Sequence, residues 1–258
     1  MPAWDAQQYL RFERERGLAC RDLVRRIELD APARLVDLGC GPGTSAAVLR
    51  ARWPGASLTG VDSSPEMLRA ARAKAPDARW LEADLGSWSP EVPYDLVFSN
   101  AALQWLPDHP RLVPRLASCV APGGAFAFQV PATGSARERW SDALAEVLER
   151  PAWRDRFGRS EGTDGVLSAE AYYDLLAPGA RRVDLWDTEY VHVLEGPSAV
   201  VEWTKGTALR PLLDRLPVGP DRDAFLDAYA RALAPRYPRR ADGKILFPFL
   251  RRFAVAYR

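Results

Sequence analysis

The sequence predicts an α/β protein built on a doubly wound, mostly parallel Rossmann-like sheet, with a helical cap supplied by the C-terminal half. Three observations predict it. Short apolar runs alternate with longer amphipathic ones over the first 120 residues or so. A glycine-dense turn, Gly39 to Gly43, separates the first apolar run from the helix that follows it. Beyond Pro131 the pattern turns predominantly helical.

Taken in order, Arg34–Leu38 reads as a strand and Thr44 to Trp53 as a helix closed by Pro54-Gly55. Ser57 to Val61 is a second strand, and Ser64 is placed to cap a helix that has Pro65 at its first position. Strands follow at Ala78 to Glu82 and Tyr94 to Ser99. A helix over Arg111 to Val120 then stops at Ala121-Pro122-Gly123-Gly124, before a strand over Ala125 to Val130. Trp140, Ala143, Leu144, Val147 and Leu148 keep helical spacing. The charged stretch from Arg154 to Gly165 reads as a loop. A short helix at Ala169 to Leu176, a strand at Val183 to Val193 and helices near Ser198 to Lys205 and Arg222 to Ala234 complete the cap. Ile245 to Tyr257 is extended, with a bend or bulge expected at Pro248.

The 258 residues are therefore read as one domain: 1–16 a lid segment, 17–131 the cofactor-binding core, 132–258 the cap helices and final strands. A net charge of +1 argues against a phosphate-neutralising nucleic-acid protein and against a polybasic membrane anchor. Cys20, Cys40 and Cys119 form neither a disulfide framework nor a CxxC pair, and with only two histidines no metal site is expected. The polar leader and the lack of a long apolar run predict a cytoplasmic chain, read as a monomer.

Asp37-Leu38-Gly39-Cys40-Gly41-Pro42-Gly43 follows the first strand and opens a helix, the context in which a glycine turn lets backbone approach a ligand. Asp62 ends the second strand, where an acid can accept both hydroxyls of a ribose. The spacing is G-x-G-x-G, not the G-x-G-x-x-G of dinucleotide sites, and Asp37 would repel a pyrophosphate. An ammonium group would be favoured there. These charges point to S-adenosylmethionine over NAD, with Asp84 positioned for the adenine amine. Asn100 follows the fourth strand without the Asn/Asp-Pro-Pro-Tyr arrangement that orients an amide or nucleobase nitrogen, so such an acceptor is disfavoured.

These residues resemble the class I S-adenosylmethionine-dependent methyltransferases, and among them the branch that methylates trans-aconitate. The likeness runs through DLGCGPG at Asp37, GVDSSPEML at Gly60, EADL at Glu82, SNAALQWLPDH at Ser99 and Gln129-Val130-Pro131. In the C-terminal half it continues through AYYDLL at Ala171, VDLWDTEYVH at Val183, Trp203, Ala208-Leu209-Arg210-Pro211, Tyr237-Pro238 and Leu246-Phe247-Pro248-Phe249. The resemblance implies a cofactor site of Asp37, Gly39, Cys40, Gly41, Asp62, Ser63, Met67, Asp84, Leu85, Asn100, Ala101 and Trp105. It implies an acceptor site drawn from Trp4, Tyr9, Gln104, Tyr172, Tyr190, His192, Trp203, Arg210, Tyr237 and Arg251.

The implied acceptor is a small polycarboxylic acid that becomes a monomethyl ester. A carboxylate is already ionised at neutral pH, so positioning suffices and no catalytic base is expected. Arg210 is the leading candidate to hold a non-reacting carboxylate through its guanidinium fork. Arg251 or Arg252 is a second. Trp186, Thr188, Tyr190 and His192 share a face by alternation. The competing readings are a different carboxylic acid or a hydroxyl as acceptor, a non-catalytic cofactor-binding protein, and an NAD-dependent oxidoreductase.

Overall fold

The computed structural model describes residues 12–132, 139–157 and 165–258. The expectations for Trp4, Tyr9 and the first eleven residues of the lid lie outside them. The elements in chain order are α1 (Glu13–Arg26), β1 (Arg34–Leu38), α2 (Thr44–Arg52), β2 (Ser57–Asp62), α3 (Pro65–Lys74), β3 (Arg79–Glu82) and β4 (Tyr94–Asn100). A single 3₁₀ turn (Leu103–Trp105), α4 (His109–Ser118) and β5 (Val120–Pro131) follow. Then come α5 (Arg139–Leu148), α6 (Pro151–Phe157), α7 (Ala169–Leu176), β6 (Arg182–Leu194), α8 (Pro197–Lys205), α9 (Arg210–Leu213), α10 (Pro220–Leu233) and β7 (Ile245–Tyr257).

Seven strands form one sheet in the order β3-β2-β1-β4-β5-β7-β6. The five N-terminal strands pair in parallel, and β7 joins β5 antiparallel, with Gln129 opposite Phe253 and Pro131 opposite Arg251. The order reverses at β1 and β4, so the carboxyl ends of these two strands border the crevice where open α/β sheets bind ligands. β1 and β4 are almost wholly buried, as strands in the middle of a helix-covered parallel sheet are.

The chain divides into two compact units. One comprises Glu13–Ala132, Asp164–Thr188 and Arg251–Arg258, and its core gathers Val36, Leu38, Val97, Phe126, Phe128, Tyr172 and Ala254. The other comprises Met1–Phe12, Thr133–Thr163 and Glu189–Leu250. Its core is aromatic: Trp203 lies 5.0 Å from the Phe12 ring centroid, 5.4 Å from that of Phe247 and 5.7 Å from that of Phe249. Each such side chain contributes roughly 1.5–3 kcal/mol by leaving water.

Local chemistry accounts for the element boundaries. Ser64 Oγ accepts from the Met67 N–H at 3.3 Å and Pro65 opens α3, the expected cap. α4 begins earlier than expected, at His109, since Pro110 fits a first helical turn. The expected loop from Arg154 is corrected in part: α6 is a helix, because Trp153 and Phe157 at i, i+4 bury one face while Arg154, Asp155 and Arg156 take the other. β7 runs through Pro248, and its registered ladder with β5 begins only at Arg251, so the missing proline N–H costs that ladder nothing. Among the described residues, no helix is long and apolar enough to cross a membrane.

Candidate active site

Every residue of the predicted cofactor site sits in one unit, most of them at the carboxyl ends of β1 to β4. The β1–α2 turn is wound tightly: the N–H groups of Gly39 and Cys40 both donate to the Val61 carbonyl, at 2.8 and 3.1 Å. Gly39 and Gly41 hold φ of 68° and 52°, a region that glycine occupies without strain. At Gly39 the absence of a side chain is also steric, because a Cβ there would lie 2.2 Å from that of Ala102. At Gly41 a Cβ would meet nothing within 4 Å, so this side of the turn is open.

Asp62 ties the turn to the end of β2. One carboxylate oxygen accepts from the Gly41 N–H and the other from the Ser64 N–H, both at 2.9 Å. A carboxylate has about four lone-pair sites, so acceptor capacity remains for a further donor. Burial raises its pKa, and the N–H groups of Ser64, Gly41 and Ser63 oppose that rise. Asp84 is exposed past β3, where one oxygen accepts from Gly86 N–H at 2.9 Å. Met67, in the first turn of α3, and Leu85, past the end of β3, are buried.

Asp37 lies in β1, one residue before its end. It has no exposed surface, and the Ser45 hydroxyl, from the first turn of α2, donates to one of its oxygens. Burial drives its pKa up to about 7; the Ser45 bond opposes the rise, and the Asp62 charge adds to it. Its other oxygen, Oδ1, is buried without a hydrogen-bond partner. The same burial, with Asp37 beside them, pushes the thiols of Cys20 and Cys40 upward, so both are protonated.

The segment after β4 closes the arrangement. Ala101 has φ of 54°, an uncommon value for a residue with a side chain, and its N–H donates to the Gln129 carbonyl at 2.9 Å. The Gln104 side chain donates to the Ala101 carbonyl at 2.7 Å. Trp105 stands at the end of the 3₁₀ turn, half-buried. Asn100 Oδ1 and Gln104 Oε1 are both buried without a hydrogen-bond partner.

Among the predicted acceptor residues, Tyr172 is wholly buried, with its hydroxyl 2.7 Å from His109 Nδ1. It belongs to the core, not to a surface. Arg251 is buried. Arg252 donates from Nε and Nη2 to the two oxygens of Asp187, at 2.9 and 2.7 Å, and from Nη1 to the Leu167 carbonyl. Trp186 stacks on Phe253 at 4.9 Å.

The other unit holds the rest. His192 is buried against Trp203 at 4.9 Å and parallel to Tyr190 at 6.2 Å. Tyr237 is buried edge-on to Phe247. Arg210, expected to read a carboxylate, has its Nε 3.2 Å from the Asp214 carboxylate one turn on.

Sequence reasoning gave no site role to three residues of this region. His109 bridges Tyr172 and the Leu103 carbonyl. Arg115 donates to the carbonyls of Leu85 and Trp88 and so fixes the turn that carries Asp84. Gln129 is a fully buried carboxamide on β5. Its signal was available: it is the one strongly polar side chain in the run Ala125-Phe126-Ala127-Phe128-Gln129-Val130.

A methyltransferase-domain family model matches residues 12–176. A trans-aconitate 2-methyltransferase of Azoarcus sp. (strain BH72) is 47% identical over 258 residues, covering 100% of both chains. The chain belongs to the trans-aconitate 2-methyltransferase family. A second member, from Rhodopseudomonas palustris (strain BisB18), is 44% identical over 257 residues and 99% of each chain. The family likeness therefore includes the cap half, beyond the methyltransferase-domain match. The crystal structure of the YcgJ protein from Bacillus subtilis shares the fold, with a TM-score of 0.58 at 17% identity over 95% of this chain and 98% of that one.

Proposed function

We propose that this chain transfers a methyl group from S-adenosylmethionine to a carboxylate of a small polycarboxylic acid, trans-aconitate first, giving a monomethyl ester. The observation that carries the reading is the full-length match to relatives bearing the trans-aconitate 2-methyltransferase name, 47% identical for one of them. The strand ends support it. Asp62 keeps acceptor capacity for a ribose diol, the turn beside Gly41 is open, and a buried Asn100 Oδ1 still lacks a donor.

When bound, S-adenosylmethionine supplies a methyl group on a sulfonium, ready for in-line displacement. The chain's own residues do the rest. The Gly39–Gly43 turn, Asp62 and Asp84 hold the nucleoside. Ala101, pinned by Gln129 and Gln104, sets the wall past which the acceptor oxygen approaches. The acceptor's ionised carboxylate forms the O–CH3 bond as the S–CH3 bond breaks, and no proton moves. His109, neutral and engaged at both nitrogens, positions and does not act as a base. Tyr190, His192, Trp203, Tyr237 and Arg210 are proposed acceptor contacts, each testable through the acceptor KM of its variant. Three buried free cysteines suit a reducing compartment, and we place the chain in the cytoplasm as a monomer.

The test is calorimetry followed by product analysis. S-adenosylhomocysteine should bind and NAD should not, and Asp62→Ala should weaken binding by about 1.5–3 kcal/mol. Mass spectrometry should then find a monomethyl ester of trans-aconitate. Tight NAD binding, or no ester with any polycarboxylic acid, would overturn the reading.

A further inference from the structure

Gln129 is wholly buried, and neither Oε1 nor Nε2 of its carboxamide has a hydrogen-bond partner. An amide left in that state costs free energy that a same-sized apolar side chain would not, so an explanation is required. Its position in the sheet supplies one. Gln129 is directly opposite Asn100 on β4 and Phe253 on β7, while Pro131, two residues on, is opposite Arg251. Strand side chains alternate, so Asn100, Gln129 and Arg251 project from one face of the sheet. They do so where β4 and β5 end, beside the Ala101 segment whose N–H is held by the Gln129 carbonyl. Arg251 brings a buried guanidinium, 6% exposed, to that face. Arg252, its neighbour, alternates away and is taken up by Asp187 and the Leu167 carbonyl.

A donor amide and a guanidinium on one face, at the carboxyl edge of the sheet, make a receptor for an anionic planar group. We propose that Gln129, through its Nε2 hydrogens, and Arg251 receive a non-reacting carboxylate of the acceptor, and that Gln129 thereby sets the preference for acids with more than one carboxylate. This rests on the reading given under Proposed function. It adds a residue and a direction: the acceptor lies with a spare carboxylate toward β5 and β7.

Gln129→Met keeps the length and removes the amide. With trans-aconitate, KM should rise about 10- to 100-fold, the loss of one hydrogen bond to a charged group, with kcat little changed. S-adenosylhomocysteine affinity should stay within about 2-fold, and the melting temperature of the ligand-free protein should not fall, because no bond is lost in that state. A purely structural glutamine would lower the melting temperature and leave the acceptor KM alone, and that pattern overturns the proposal. Crotonate, a monocarboxylic analogue, should lose far less than trans-aconitate; equal losses also overturn it. If Gln129→Met does not fold, Gln129→Glu, nearly isosteric and repelling a carboxylate, should raise the acceptor KM further, and an unchanged KM refutes the assignment. Wild-type protein inactive on every polycarboxylic acid overturns the functional reading and the Gln129 role with it. Active wild type with an unaffected variant overturns the Gln129 role alone.

Discussion

The Tyr172 hydroxyl lies 2.7 Å from Nδ1 of His109, and the opposite ring nitrogen, Nε2, lies 2.9 Å from the Leu103 carbonyl. A carbonyl only accepts, so Nε2 carries the proton and Nδ1 accepts from the tyrosine. Burial lowers the imidazole pKa and keeps it neutral, as this pairing requires, and raises that of Tyr172 to about 12. Helices α4 and α7 are thereby locked to the 3₁₀ turn that follows Ala101.

Tyr172→Phe should expose the value of that lock. The variant leaves a buried nitrogen without a donor, at a cost of about 1–3 kcal/mol in urea unfolding. Turnover should fall, since the turn after β4 loosens, while cofactor affinity changes little. Unchanged stability would mean that the hydroxyl does not brace the turn.

Asp37 should make its mark on pH dependence. Its folded pKa, about 7, is above its unfolded value, so between roughly pH 4 and 7 the native state binds the extra proton. Stability of the ligand-free protein should therefore fall as pH rises through that window and level off above it. Asp37→Asn should lack this slope, and the difference between the two unfolding curves isolates the residue. Parallel curves across the window would show a carboxylate ionised throughout.

The placing of the glycine turn after β1 and of Asp62 at the end of β2 was legible in the sequence, because a tight strand-to-helix turn imposes glycine at positions of positive φ. The strands were legible because buried parallel strands read as apolar runs. Helix α6 was obscured by its charged face, which outweighed the Trp153 and Phe157 pair. The surroundings of Asp37 and Tyr172 were not legible at all. Ser45 is eight residues from Asp37 and His109 sixty-three from Tyr172, and only tertiary packing joins them. Arg210 was read for its guanidinium fork, and the ion pair of its Nε with Asp214 one turn on is a contact that the fork argument does not contain.

Gly39→Ala and Gly41→Ala separate backbone strain from steric closeness. Both replace a glycine of positive φ, which costs about 1–2 kcal/mol. Only at position 39 does the new methyl collide, 2.2 Å from Ala102 Cβ. Gly39→Ala should destabilise the protein well beyond Gly41→Ala in denaturant titration and should displace the Ala101 segment. Equal costs would show that the turn yields and that the close approach to Ala102 is dispensable.

Methyl transfer from labelled S-adenosylmethionine, compared across trans-aconitate, crotonate and a hydroxyl acceptor of similar size, tests the central claim most directly. The account predicts label in an ester of trans-aconitate, one equivalent per S-adenosylhomocysteine released, with kcat/KM at least about 10-fold above crotonate and no transfer to the hydroxyl compound. Transfer to the hydroxyl acceptor in preference to the acids would contradict it.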